Sequence, residues 1–331
     1  MRANLAKSLL LGLLFAAIFV FAAVFLPFSE GYLHVLSGYA VPVLGYAFLV
    51  AYGLWTALIL ALAFAGSRYG GVRLAVFSLF AALGCMWAVP MAETIWLGEA
   101  TGVMTRPDSL LRLAQGAVSL IVSVVLALLL YQTPNRQAKP APPAVPAKMK
   151  LNFVGLAIWL LVLPVFHLIL SFFARYFLVL RNPEALEFHT GETVLRPVLG
   201  ELVHLLLNNA LLFLLWLGQG FLLCVFLFLL ALPLAEKRWL FLGTGVMMTL
   251  SPALLYLLPN PLMPDAVRMA HVFEHAAVGL VFGALSSFLL HRCIVVEKPA
   301  VPAEPAVKSA AAARPVAVRP AVTAAAKPAA K

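Results

Sequence analysis

The chain has 331 residues, of which 63% are hydrophobic and only 11% charged. Soluble domains run at roughly 45–50% apolar and about 25% charged, so a water-soluble globular protein is excluded. The three cysteines, Cys85, Cys224 and Cys293, stand far apart with no C-x-x-C pair, which excludes a disulfide framework and a zinc ribbon.

A bilayer core is crossed by about 20 apolar residues of helix. The first such stretch, residues 8–26, follows Arg2 and Lys7. It is longer than the roughly 7–15 apolar residues of a secretory signal and lacks a small-residue cleavage site, so it is read as a span. Further spans are predicted over residues 32–65, 73–96 and 108–131, then 153–178, 198–235, 239–258 and 265–291. Two of the eight are too long. Residues 198–235 as one helix would reach roughly 57 Å at 1.5 Å per residue, against a hydrocarbon core of about 30 Å. Breaks are expected at Pro42 in the second stretch and at Gly218-Gln219-Gly220 in the sixth.

The net charge of +10 is a topology marker. One set of alternate loops, with Arg2, Lys7, Arg68, Arg73, the linker, Lys237, Arg238 and the tail, holds 17 of the 23 basic residues and three acids, a net of +14. The other set holds six bases and ten acids, a net of −4. Positive loops stay inside, so both termini are expected in the cytoplasm and the protein in the cell (inner) membrane. Residues 293–331 are Ala/Pro/Lys-rich and are expected to be disordered. Weak contact with anionic lipid is expected of this tail. Nucleic acid is not an expected partner, since no aromatic residue interleaves the basic ones.

Residues 1–132 and 153–292 each hold four spans, separated by a Pro/Ala/Lys-rich linker over 133–152. At an offset of 160 the stripe Gln115, Ser119, Ser123, Ala127 falls on His275, Gly279, Gly283, Ser287. Members of each stripe are four residues apart and share a helix face. At an offset of 165, Gly53 falls on Gly218 and Arg73 on Arg238. The expected fold is therefore an all-α integral membrane protein of eight helices, built as two parallel four-helix repeats.

Ionisable residues inside apolar spans are expensive and point to function. Glu201, His204 and Asn208 share one face of the sixth segment. Arg268, His271 and His275 share a face of the eighth, with Glu274 one position away. Three readings compete. Glu201-x-x-His204 has the spacing of carboxylate-bridged metal bundles, and His271 and His275 lie one turn apart, so His204, His271 and His275 could hold one transition-metal ion or ligate haem. The same groups, joined by Glu93 and His167, could form a proton or ion pathway. In the structural reading they pair at helix ends and bind no cofactor. His271-x-x-Glu274-His275 also matches the inverted zinc-protease pattern, but no downstream carboxylate follows on that side of the membrane. Arg175 is expected to snorkel to headgroups, and the loop 181–196 either covers the site or is solvated. No P-loop or nucleophile elbow occurs. The favoured function is a transporter-like or permease-like protein. A metal- or haem-binding enzyme, redox or assembly subunit is the alternative, and a scaffold holding a membrane-protein partner or a homo-oligomer is a third.

Overall fold

The computed structural model describes residues 2–38, 43–67, 69–100, 104–131, 148–234, 236–258 and 263–297. Among these, eight helices are long and apolar enough to cross a membrane: Leu5–Phe25, Leu44–Gly66, Gly71–Trp96, Arg106–Tyr131, Phe153–Val179, Ala210–Leu234, Arg238–Leu255 and Asp265–Cys293. They are formed by the helices α1 (Arg2–Phe25), α3 (Val43–Gly66), α4 and α5 with the turn between them (Gly71–Ala82, Val89–Ala100), α6 (Arg106–Tyr131), α7 with the turn after it (Phe153–Ala174), α10 (Ala210–Leu234), α11 (Arg238–Leu255) and α12 (Asp265–Cys293). Three shorter helices, α2 (Glu30–Gly38), α8 (Pro183–Thr190) and α9 (Val198–Asn208), precede or follow spans at the end opposite the basic loops.

The second over-long stretch holds α2 and α3, and the expected break at Pro42 lies outside the described residues. The sixth divides at Asn209, whose backbone (φ −143°, ψ 46°) leaves the helical region, and not at Gly218-Gln219-Gly220. The physical reason is local competition. The Asn208 side chain donates back to the His204 carbonyl at 3.0 Å, which offers the backbone an alternative to helix continuation. Gly220 instead serves close packing: a Cβ there would lie 2.7 Å from the His167 Cβ and 3.0 Å from the Pro164 Cα.

Two spans contain a π-helical turn, Leu83–Ala88 between α4 and α5, and Arg175–Val179 after α7. In the first, the Val89 N–H reaches back five residues to the Gly84 carbonyl. Pro90 follows at once and has no N–H, so the Met86 carbonyl loses its ordinary partner four residues on. The Tyr52 hydroxyl donates to it instead, at 2.7 Å in the buried core.

Helix α1 packs on α3 and α6, and α7 packs on α10 and α12. The two halves of the chain meet where α3 packs on α11 and α10 on α4. Trp55 Nε1 of α3 donates to the Met247 carbonyl of α11 at 3.2 Å. Reciprocally, Gln219 Nε2 of α10 donates to the Val89 carbonyl at 3.1 Å. The α11–α12 pair is close because Gly279 and Gly283 present no side chain to Thr249. A Cβ at Gly279 would run into the Thr249 carbonyl, and Thr249 Oγ1 donates to the Gly279 carbonyl at 2.8 Å.

One departure from an all-helical fold lies at the basic end. Strands β1 (Lys148–Leu151) and β2 (Ile294–Glu297) pair antiparallel, Lys148 opposite Glu297 and Leu151 opposite Ile294. They occupy the last residues of the linker and the first of the tail. Residues 132–147 and 298–331, the rest of both, lie outside the described residues.

Candidate functional site

Helix α12 starts at the end opposite the basic loops. At 1.5 Å per residue, His271 lies about 9 Å and His275 about 15 Å along it. His271 and Glu274 are buried, and the ligand atoms of His271, Glu274 and His275 lie within 4.8 Å of one another. His271 Nδ1 and Glu274 Oε2 are 2.6 Å apart. On its other side, His271 Nε2 meets His189 Nε2 at 2.9 Å, the two rings perpendicular at 90°. With the carboxylate ionised, His271 Nδ1–H donates to Glu274 and His271 Nε2 accepts from His189, a carboxylate–imidazole–imidazole chain.

His189 comes from α8, which packs on α12. Within the loop 181–196, it is α8 that lies against the His271 part of α12. Asn182 caps α8, accepting from Glu184 N at 3.0 Å, and Gly191 ends it in the left-handed region at φ 70°. Burial, and after it the charges of Arg175 and His271, hold the His189 imidazole far below its usual range, so it is neutral. The ring of Tyr256 stacks on that of His275 at 4.5 Å and on that of His271 at 5.3 Å. His275 Nε2 has no hydrogen-bond partner among the described residues.

Arg175 does not snorkel. It opens the second π turn, is buried, and donates from Nη1 to Glu93 Oε1 at 3.0 Å. Its guanidinium stands over the Trp216 ring at 5.6 Å. A cavity of about 30 Å³ adjoins Glu274 and His275 and is also lined by His167, Ser171, Gln219 and Thr249. It has room for one or two waters. His167 Nδ1 lies 3.0 Å from the Trp216 carbonyl.

The other residues singled out in the sequence lie elsewhere. Glu201 is buried but faces Arg196, whose Nη1 donates to Glu201 Oε2 at 3.3 Å, while Arg196 also pairs with Glu192. His204 and Asn208 bond each other at 2.9 Å on the exposed side of α9. His204 is thus not among the grouped donors of α12. Arg268 ties α12 to the end of α11, donating to the Leu257 carbonyl at 2.7 Å and to Asp265 Oδ1 at 2.8 Å. Of the seven named positions, His271, Glu274 and His275 are brought together. Glu93, Arg175 and His189 join them from distant parts of the chain. Their sequence signal was only a charge or imidazole within or beside an apolar span.

Eight apolar spans around a buried ionisable cluster define a multi-pass membrane protein. No family model matches the chain, and comparison with curated proteins and with solved structures finds no match.

Proposed function

We propose that the protein is transporter-like or permease-like, with the buried cluster as its working site and a small ion as its cargo. The observation that carries this reading is the run of polar side chains from His189 through His271, Glu274 and His275 to the cavity at His167. Such groups are costly inside a bilayer unless they face a partner or a path. The cavity size argues for a small cargo, since organic ligands and cofactors, haem included, need roughly 300–1,000 Å³.

The architecture supports the same reading. Two parallel four-span repeats would give each half the same order of packing, as α1 on α3 and α6 and α7 on α10 and α12 do. The reciprocal bonds Trp55 to Met247 and Gln219 to Val89 fit an axis along the membrane normal. Carriers of repeated build place their site at the repeat interface, on interrupted helices. The Glu93–Arg175 pair joins the halves, and Arg175 opens a π turn, a feature frequent at functional sites. The basic end is taken as cytoplasmic on the charge of its loops.

The test is flux. Protein reconstituted in vesicles is expected to move small mono- or divalent cations faster than empty vesicles do. Rates equal to those of empty vesicles for every cation tried would sink the carrier reading.

A further inference from the structure

We infer that His271, Glu274 and His275 form a binding site for one divalent transition-metal ion, with His189 as the outer partner that positions His271. This deepens the small-ion reading above and rests on it only for the role of the ion as cargo; binding stands by itself.

The donor set is the first argument. Two imidazoles and one carboxylate are a recurrent set for zinc and for non-haem iron. They stand at i, i+3 and i+4 on α12, with ligand atoms within 4.8 Å. Ligands at about 2.0–2.1 Å from a tetrahedral ion are about 3.3 Å from each other. The 2.6 Å between His271 Nδ1 and Glu274 Oε2 must therefore widen by less than about 1 Å, and a cation then takes the place of the proton that bridges them.

The surroundings agree with the donor set. Ligating imidazoles keep their second nitrogen in a hydrogen bond that fixes ring and tautomer. His271 has this in His189, 2.9 Å from its Nε2. When the ion takes Nδ1, His271 carries its single proton on Nε2 and His189 changes to the tautomer protonated at Nδ1, so that its Nε2 accepts from His271. His275 brings a buried Nε2 with no hydrogen-bond partner among the described residues, and Tyr256 stacks on both imidazoles. Beside Glu274 and His275, the cavity of about 30 Å³ can seat a water as fourth ligand. Three protein ligands with one exchangeable position make a site where an ion is handled rather than locked.

The experiment uses full-length protein in detergent, stripped with chelator and dialysed against zinc alone, with bound metal counted per chain. One zinc per chain is expected. His271→Ala with His275→Ala removes it, the near-isosteric Glu274→Gln weakens it by at least about tenfold, and His189→Ala weakens it by about 10–100-fold. His204→Ala leaves it unchanged. Cobalt in place of zinc gives a second readout in wild type and in Glu274→Gln. The absorption of a four-coordinate nitrogen–oxygen site is expected, and it is lost or altered in the variant even if that variant is as thermally stable as wild type. No stoichiometric zinc in wild type overturns the proposal, as does zinc that survives the double histidine change. Bound zinc without flux of any cation retains the site and rejects the carrier. Cation flux without bound metal does the reverse.

Discussion

Glu93 and Arg175 form a buried ion pair at 3.0 Å, one from the third span and the other from the fifth, each side chain less than a tenth exposed. Their attraction in a low-dielectric interior offsets the cost of removing both from water only while both are present. Glu93→Gln strands the guanidinium and is expected to cost about 3–5 kcal/mol. Changing both residues to glutamine recovers most of it. Thermal unfolding in detergent measures this, and a double variant as unstable as the worse single one would deny the coupling.

The α11–α12 contact gives a contrast between glycines. Gly279→Ala drives a methyl into the Thr249 carbonyl, with an expected cost of about 1–3 kcal/mol. Thr249→Val removes the hydroxyl that donates to the Gly279 carbonyl at 2.8 Å and also lies 3.1 Å from the Gly245 and Val246 carbonyls of its own helix, and is expected to cost about 0.6 kcal/mol, at most about 1.7. Gly218 has nothing within 4 Å of a built Cβ, so Gly218→Ala is expected to leave melting unchanged. Equal shifts for Gly279→Ala and Gly218→Ala would contradict the packing.

Tyr52 and Pro90 are coupled through a carbonyl that neither owns. Tyr52→Phe leaves Met86 O buried without the donor at 2.7 Å, an expected loss of about 1–3 kcal/mol. In a Pro90→Ala background the chain regains an N–H at position 90, and the same change is expected to cost half as much or less. A full-sized penalty in both backgrounds would remove the explanation.

The spans were legible in the sequence because hydrophobicity per turn is a local property. Residues 153–178 and 265–291 differ from the observed helical spans by at most two residues at either end. The sixth stretch divides at Asn209 and not at Gly218-Gln219-Gly220 because Gly220 serves packing, whereas Asn208 competes for backbone groups. The shared faces of Glu201, His204 and Asn208 and of His271 and His275 were readable, but periodicity does not say which helices meet. Helix α9 is followed by α10, and it is α8 that lies on α12. The membership of His189 and the pairing of Glu93 with Arg175 depend on that tertiary arrangement. So does the β1–β2 ribbon, whose strands are short and about 140 residues apart.

Orientation is open to direct labelling. Single cysteines placed at Glu187 and at Glu236, in a background lacking Cys85, Cys224 and Cys293, lie at opposite ends of the bundle. An impermeant thiol reagent added to intact cells is expected to modify the first alone. Modification of the second alone would invert the topology.

The most direct measurement is zinc entry into vesicles loaded with an impermeant indicator, comparing wild type, His271→Ala and His204→Ala at equal reconstituted amounts. Wild type and His204→Ala are expected to carry zinc at the same rate, well above empty vesicles, with His271→Ala reduced to the empty-vesicle rate. Equal rates for wild type and His271→Ala would contradict the account, because the cluster on α12 would then have no part in what crosses.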